Sequence, residues 1–284
     1  MEEKITIEST LKSSDTEEWW DIIFTRPIGF RLALMYRNMK VSPNQVTLIS
    51  IIFGIMAGIC FYSANLKTNL IGMVLLVIAN LHDSADGQLA RMTNNKTKLG
   101  RILDGLAGDL WFVTIYCSIS LRVTDHGHPW IWALAAGAGA CHIIQAAMAD
   151  YYRNIHLLFI KGEAGSEVDN STELENEYNS IRWRNGFFRK MMLRFYLNYT
   201  KEQEFCSRNL QKLLRLIRER FGKEMPEWLT SEFRRKDRRL MKYTNILTFN
   251  TRMFALFFCL LIDLPWIYFL FEITVMNGIL IHLV

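Results

Sequence analysis

The chain has only five cysteines in 284 residues (Cys60, Cys117, Cys141, Cys206 and Cys259), and none stands at metal-ligand spacing from another. Four fall inside apolar runs, where they read as small buried hydrophobes rather than disulfide partners or zinc ligands. No internal repeat and no low-complexity tract is found, so neither a repeat array nor a biased linker organises the chain. The start also lacks a secretory leader's features. It opens Met1-Glu2-Glu3, has no apolar core for about 18 residues, and shows no small-residue cleavage site.

What is present is apolar sequence in long runs. Half of the residues are hydrophobic, and they are bunched rather than spread at an amphipathic period. Six segments of about 20 residues, the length that crosses a hydrocarbon core, lie near 44–64, 68–91, 99–121, 129–150, 245–263 and 265–284. The second and third carry charges that a lipid-facing helix would not keep. The last run ends at Val284 without a flanking Lys or Arg, so the natural chain is expected to continue.

The charge balance sets the expected topology. Residues 151–243 contain 20 Lys and Arg against 13 Asp and Glu, a net +7 where the whole chain carries +5. By the positive-inside tendency, this segment, the N-terminus and the 92–98 loop face the cytoplasm. Nucleic acid is a rival partner for so basic a segment. A membrane-anchored chain makes anionic lipid headgroups the expected one, with no nucleic acid.

The expected fold class is therefore an all-α membrane protein with six transmembrane helices. Residues 1–40 form a polar tail and an amphipathic helix, in which Trp19, Trp20, Phe24 and Phe30 interleave with Arg26, Arg31 and Arg37. That pattern suits the membrane interface and equally suits packing on the protein's own cytoplasmic face. Residues 41–150 form a core of spans 1–4, with Ser42 capping the first helix and Pro43 in its first turn. Residues 151–243 form a basic cytoplasmic insertion, loop-like over 161–180 and then two or three amphipathic helices. Residues 244–284 hold spans 5 and 6.

The chemistry lies in one stretch. Asp83, Asp86, Gly87, Ala90 and Arg91 end the second span, and Gly100 and Asp104 open the third. Asp83 and Asp86 project from one helix face, and Gly87 leaves that face open for a ligand to approach the backbone. Gly100 and Asp104 repeat the arrangement. Two antiparallel helices joined by a short turn would bring three carboxylates together near the cytoplasmic surface. Such carboxylates cannot all stay ionised without a partner, and a hard divalent cation with phosphate suits them. Neutralisation by Arg91 and Arg101 explains the charge but not the glycines.

This run resembles the signature of the CDP-alcohol phosphotransferases, Asp-x2-Asp-Gly-x2-Ala-Arg-x8-Gly-x3-Asp-x3-Asp. It matches at the first seven fixed positions, a chance event of about one in a billion per start at average residue usage. The likeness covers roughly 40–150. It implies that Asp83, Asp86 and Asp104 bind two Mg²⁺ or Mn²⁺ ions that clamp a CDP-linked donor. Asn44, Thr47, Gly87, Ala90, Arg91 and Gly100 would contact that donor, and the protein would be a homodimer. The departure is the eighth position, where Gly108 replaces an aspartate and Asp109 follows. On a regular helix Asp109 points about 140° away from Asp104. A π-type bulge near 104–109 would let Asp109 act as base or metal ligand.

By resemblance, the expected activity is transfer of a phosphatidyl group from CDP-diacylglycerol to a small polar alcohol, with release of CMP. Inositol or inositol phosphate is favoured, because Arg153, Arg189 and Lys190 would suit an anionic acceptor. Two alternatives stay open: transfer of a CDP-linked ethanolamine- or choline-type headgroup to diacylglycerol or ceramide, and a non-catalytic metal-binding scaffold.

Overall fold

The computed structural model describes residues 6–10, 13, 15–162, 166–222 and 225–284; every regular element among them is helical. The chain forms two compact units. The first comprises Met1–Leu11, Glu17–His142 and Phe249–Val275, and the second Lys12–Thr16, Ile143–Thr248 and Met276–Val284.

In the first unit a π-helical turn, Asp21–Thr25, leads into α1 (Arg26–Asn38), followed by α2 (Pro43–Cys60), α3 (Leu66–Met92) and α4 (Lys98–Asp125). Ser42 caps α2 as expected. Its hydroxyl accepts from the Gln45 amide, the Gln45 side chain accepts from the Ser42 amide at 2.8 Å, and Pro43 occupies the first turn. Asn94 adopts a left-handed conformation, φ 49°, after α3, with the Asn95 amide donating to the Ala90 carbonyl at 3.0 Å. Thr97 then caps α4 by accepting from the Gly100 amide at 3.0 Å. A five-residue turn thus joins α3 to α4. α2 packs against both.

Of the two settings the sequence allows for the N-terminal helix, α1 has a face packed on the protein itself, against α3. Ala33 and Tyr36 meet Val46, Ala85 and Leu89. The fully buried Gln88 donates to the Arg26 carbonyl at 3.2 Å and accepts from the Thr10 hydroxyl at 3.1 Å. On α2, exposed Leu48, Ile52, Met56 and Ile59 recur every three or four residues, the stripe a lipid-facing helix presents.

Among the described residues, five helical stretches are long and apolar enough to cross a bilayer: Pro43–Cys60, Leu66–Met92, Lys98–Asp125, Ile131–Lys161 and Glu227–Leu261. The sixth expected span, Ile267–Leu283, is shorter. It is divided into α11 (Ile267–Phe271), a π-helical turn (Glu272–Met276) and α12 (Asn277–Leu283). At the break Glu272 is fully buried and accepts hydrogen bonds from Arg252, on α10 (Phe249–Leu261), and from the Tyr268 hydroxyl. His142 lies 3.7 Å from the same carboxylate. An ionisable residue at this depth is retained only with such partners.

The second unit departs from the expected boundaries. α5 (Ile131–Lys161) outruns the hydropathy signal because Tyr151, Ile155, Leu158 and Phe159 continue an apolar stripe against Leu214 and Ile217. Within the segment read as loop, residues 171–180 form α6 (Ser171–Ser180). The Asn170 side chain accepts from the Thr172 amide at 2.8 Å, Glu173 stands in the first turn, and Leu174 is buried. Beyond it follow the helices α7 (Trp183–Cys206), α8 (Arg208–Phe221) and α9 (Glu227–Ile246).

Candidate active site

α3 and α4 bring Asp83, Asp86 and Asp104 together, with one carboxylate oxygen of each within 4.8 Å of the others. Asp86 is buried, Asp83 half-buried and Asp104 exposed, so the cluster has a closed floor and an open side. One oxygen of Asp86 is buried without a hydrogen-bond partner. A buried carboxylate oxygen is costly to leave unsatisfied, and with two further carboxylates beside it the donor set fits a hard divalent cation.

Residues of α2 complete the wall. The Thr47 side chain and the Gly87 amide face Asp86. The Asn44 side-chain oxygen lies where a Cβ on Gly100 would approach to 2.9 Å. Gly100 therefore makes room for Asn44, a nearer reason for its small size than room for a ligand. A Cβ at Gly87 would sit 3.5 Å from the Arg91 guanidinium, an ordinary contact. Gly105 and Gly108 have no heavy atom within 4 Å of an added Cβ, so the face of α4 around Asp104 is open. Ala90, half-buried, follows on α3.

The expected distortion of the third span is absent. α4 is α-helical from Lys98 to Asp125 without a π-turn, and Asp109, exposed, lies outside the group of three carboxylates. The open ground at Gly105 and Gly108 imposes no packing strain, so nothing drives the helix to add a residue there.

Of the basic residues considered for an acceptor, all three are in the second unit. Arg153 donates to the Asn245 side chain at 3.3 Å, and Arg189 pairs with Glu177 at 3.0 Å. Lys190 donates to the Ile181 carbonyl at 2.6 Å and sits 4.5 Å from the Tyr178 ring centroid.

Two groups were not singled out in the sequence. Asp21, from a run read only as amphipathic, stands on the π-helical turn that packs against α3 and accepts from the Asn250 side chain at 3.0 Å. The Arg252, Glu272, His142 and Tyr268 network was the other. Single ionisable residues inside apolar runs were the available signal for it.

Fold and site together define a polytopic helical membrane protein with a cluster of three carboxylates between its second and third long apolar helices. Residues 40–156, which contain all of that cluster, match the CDP-alcohol phosphatidyltransferase family model. Over 91 residues it is 29% identical to the archaetidylinositol phosphate synthase of Pyrococcus horikoshii, a stretch that is 32% of this chain and 47% of the relative. The chain thus spans about half the length of that relative.

Proposed function

We propose that the protein transfers a phosphatidyl group from CDP-diacylglycerol to a small polar alcohol, releasing CMP, with inositol phosphate or inositol as acceptor. The observation that carries this reading is the orphaned Asp86 oxygen among three convergent carboxylates, inside a segment that matches a phosphatidyltransferase family. The acceptor assignment draws on the similarity to a protein named for archaetidylinositol phosphate synthesis.

Asp83, Asp86 and Asp104 would hold the divalent ions. Bound there, Mg²⁺ or Mn²⁺ would neutralise charge on the donor's diphosphate, the recurring need of phosphoryl transfer. The chain's own side chains bind and orient the donor. Thr47 and Asn44 line the nucleotide end, the Arg91 guanidinium beside Gly87 holds a phosphate oxygen, and the open face of α4 leaves room for the lipid-bearing phosphate. In this reading the Ile267–Leu283 stretch is the sixth span, the 92–98 turn and the carboxylates face the cytoplasm, and the protein works as a homodimer.

The test is turnover in proteoliposomes with radiolabelled CDP-diacylglycerol and inositol phosphate, inositol, glycerol phosphate or serine, set against CDP-choline and CDP-ethanolamine with diacylglycerol or ceramide. A labelled inositol lipid and stoichiometric CMP are expected. Turnover only with a CDP-linked headgroup and a lipid hydroxyl would overturn the donor assignment.

A further inference from the structure

We infer that the outer face of α8 is a docking surface for anionic phospholipid headgroups. The helix runs Arg208–Phe221 and carries five cations against one acid, Glu219, so its charge is nearly all of one sign. Its inner side is accounted for by Leu214 and Ile217, which are buried against Tyr151, Ile155, Leu158 and Phe159 of α5. On the outer side Leu213 and Leu216 stay 45% and 61% exposed. They fall in one stripe with Arg220, at offsets of three and four. Arg208, Lys212 and Arg215, all exposed, form the neighbouring stripe at the same offsets.

The cations of this face differ from others on the second unit. Arg189 pairs with Glu177, Lys201 with Glu175, and both Arg235 and Lys236 with Glu232. Among the described residues, Arg208, Lys212, Arg215 and Arg220 have no carboxylate partner. Arg208 instead lies 4.4 Å from the ring centroid of Phe205, which is 66% exposed. Cations without an internal counter-charge, set beside exposed leucines, call for an anion and an apolar medium together. A phospholipid surface supplies both. The Lys and Arg stems would lie along the apolar layer while their heads reach the phosphates. Nucleic acid would match the charges and leave the leucines in water.

The place of α8 along α5 favours the same occupant. Residues 151–159 of α5, which α8 covers, begin where the apolar run near 129–150 ends. Nine residues of helix rise about 13 Å. The headgroup layer is about 5–7 Å deep on each side of the hydrocarbon core, and a helix lying on it adds a radius of about 5 Å. The two lengths agree, so α8 is within reach of the lipid phosphates.

The experiment uses the full chain in proteoliposomes of phosphatidylcholine, alone or with about 30 mol% phosphatidylserine. The photo-crosslinker benzoylphenylalanine replaces Leu216, whose exposure leaves the core untouched, and in a second variant it replaces Leu213. Mass spectrometry after illumination is expected to find phospholipid adducts at both positions, at least about fivefold more abundant with phosphatidylserine than without. Arg208→Gln, Lys212→Gln and Arg215→Gln made together should remove that gain at an unchanged melting temperature. Equal yields in the two vesicles, or a gain that survives the triple substitution, overturn the inference. So do adducts to a second copy of the chain in place of lipid, and so does the absence of lipid adducts from both positions. Capture of an oligonucleotide by the same three cations, without lipid adducts, would give the face to nucleic acid instead. A melting temperature lowered by the triple substitution would show that the cations are matched within the fold, which also overturns it.

Discussion

The side-chain oxygen of Asn44 occupies the space beside Gly100, 2.9 Å from where a Cβ on that glycine would lie. Asn44 opens α2 and Gly100 opens α4, so the contact sets the registry of two helix N-termini at the carboxylate site. The atom in the way is the tip of a flexible side chain. Gly100→Ala should therefore displace Asn44 without unfolding the protein. We expect the affinity for CMP to fall about tenfold, roughly the value of one good hydrogen bond to a charged ligand, at an unchanged melting temperature. Calorimetric titration with CMP checks both.

A glycine deeper on α2 should behave differently. A Cβ on Gly54 would lie 2.1 Å from the Trp111 ring, which is 2% exposed. The indole cannot move without emptying the core that α2 and α4 share, so Gly54→Ala should cost about 1–3 kcal/mol or more by overpacking. A lowered unfolding midpoint in detergent is the expected reading, with the loss of activity following the loss of folded protein.

Asp86→Ala should abolish turnover and the response to divalent ions together. It removes the buried oxygen donor from a site with few others. In a thermal-shift titration the parent is expected to gain stability as Mg²⁺ or Mn²⁺ is added, as any ligand of the folded state requires, and to lose turnover in chelator. The variant is expected to show neither. An ion-dependent stabilisation of normal size in Asp86→Ala would remove the metal assignment.

The buried pair between Arg252 and Glu272 gives a prediction about stability alone. Glu272→Ala leaves a guanidinium uncompensated at 1% exposure, which should cost about 3–5 kcal/mol. Replacing both members by Met should cost much less, since desolvation of the pair offsets most of its attraction. Chemical denaturation of the single and double variants compares the two directly.

A pH effect follows from the second unit. Asp15 is held below its ordinary 3.8 chiefly by a hydrogen bond from Arg234 at 2.6 Å; burial opposes this, and the charges of Arg234 and Arg238 reinforce it. A carboxylate whose folded pKa is depressed stabilises the fold above its unfolded pKa and loses that contribution as pH falls through the folded value. Asp15→Asn should thus lower the melting temperature at pH 7, and the difference from the parent should shrink below about pH 4. Arg234 is half exposed, so the effect should stay near or below about 1 kcal/mol. A difference independent of pH would point to lost packing instead.

Local patterns were enough for the helical membrane class, the cap at Ser42 and the meeting of Asp83, Asp86 and Asp104. Each depends on spacing along one helix or across one short turn, and such geometry is nearly invariant. Other features depended on which side chains arrive from far along the chain. The continuation of α5 past its apolar run follows from its stripe finding Leu214 and Ile217 some 60 residues on. The break in the last apolar helix goes with Glu272 meeting Arg252 and His142. Gly100 reads as a generic small residue until Asn44 is placed against it. Whether Asp109 could reach the cluster turned on the regularity of α4. Burial and pairing at that range depend on three-dimensional packing, which no periodicity in one segment encodes.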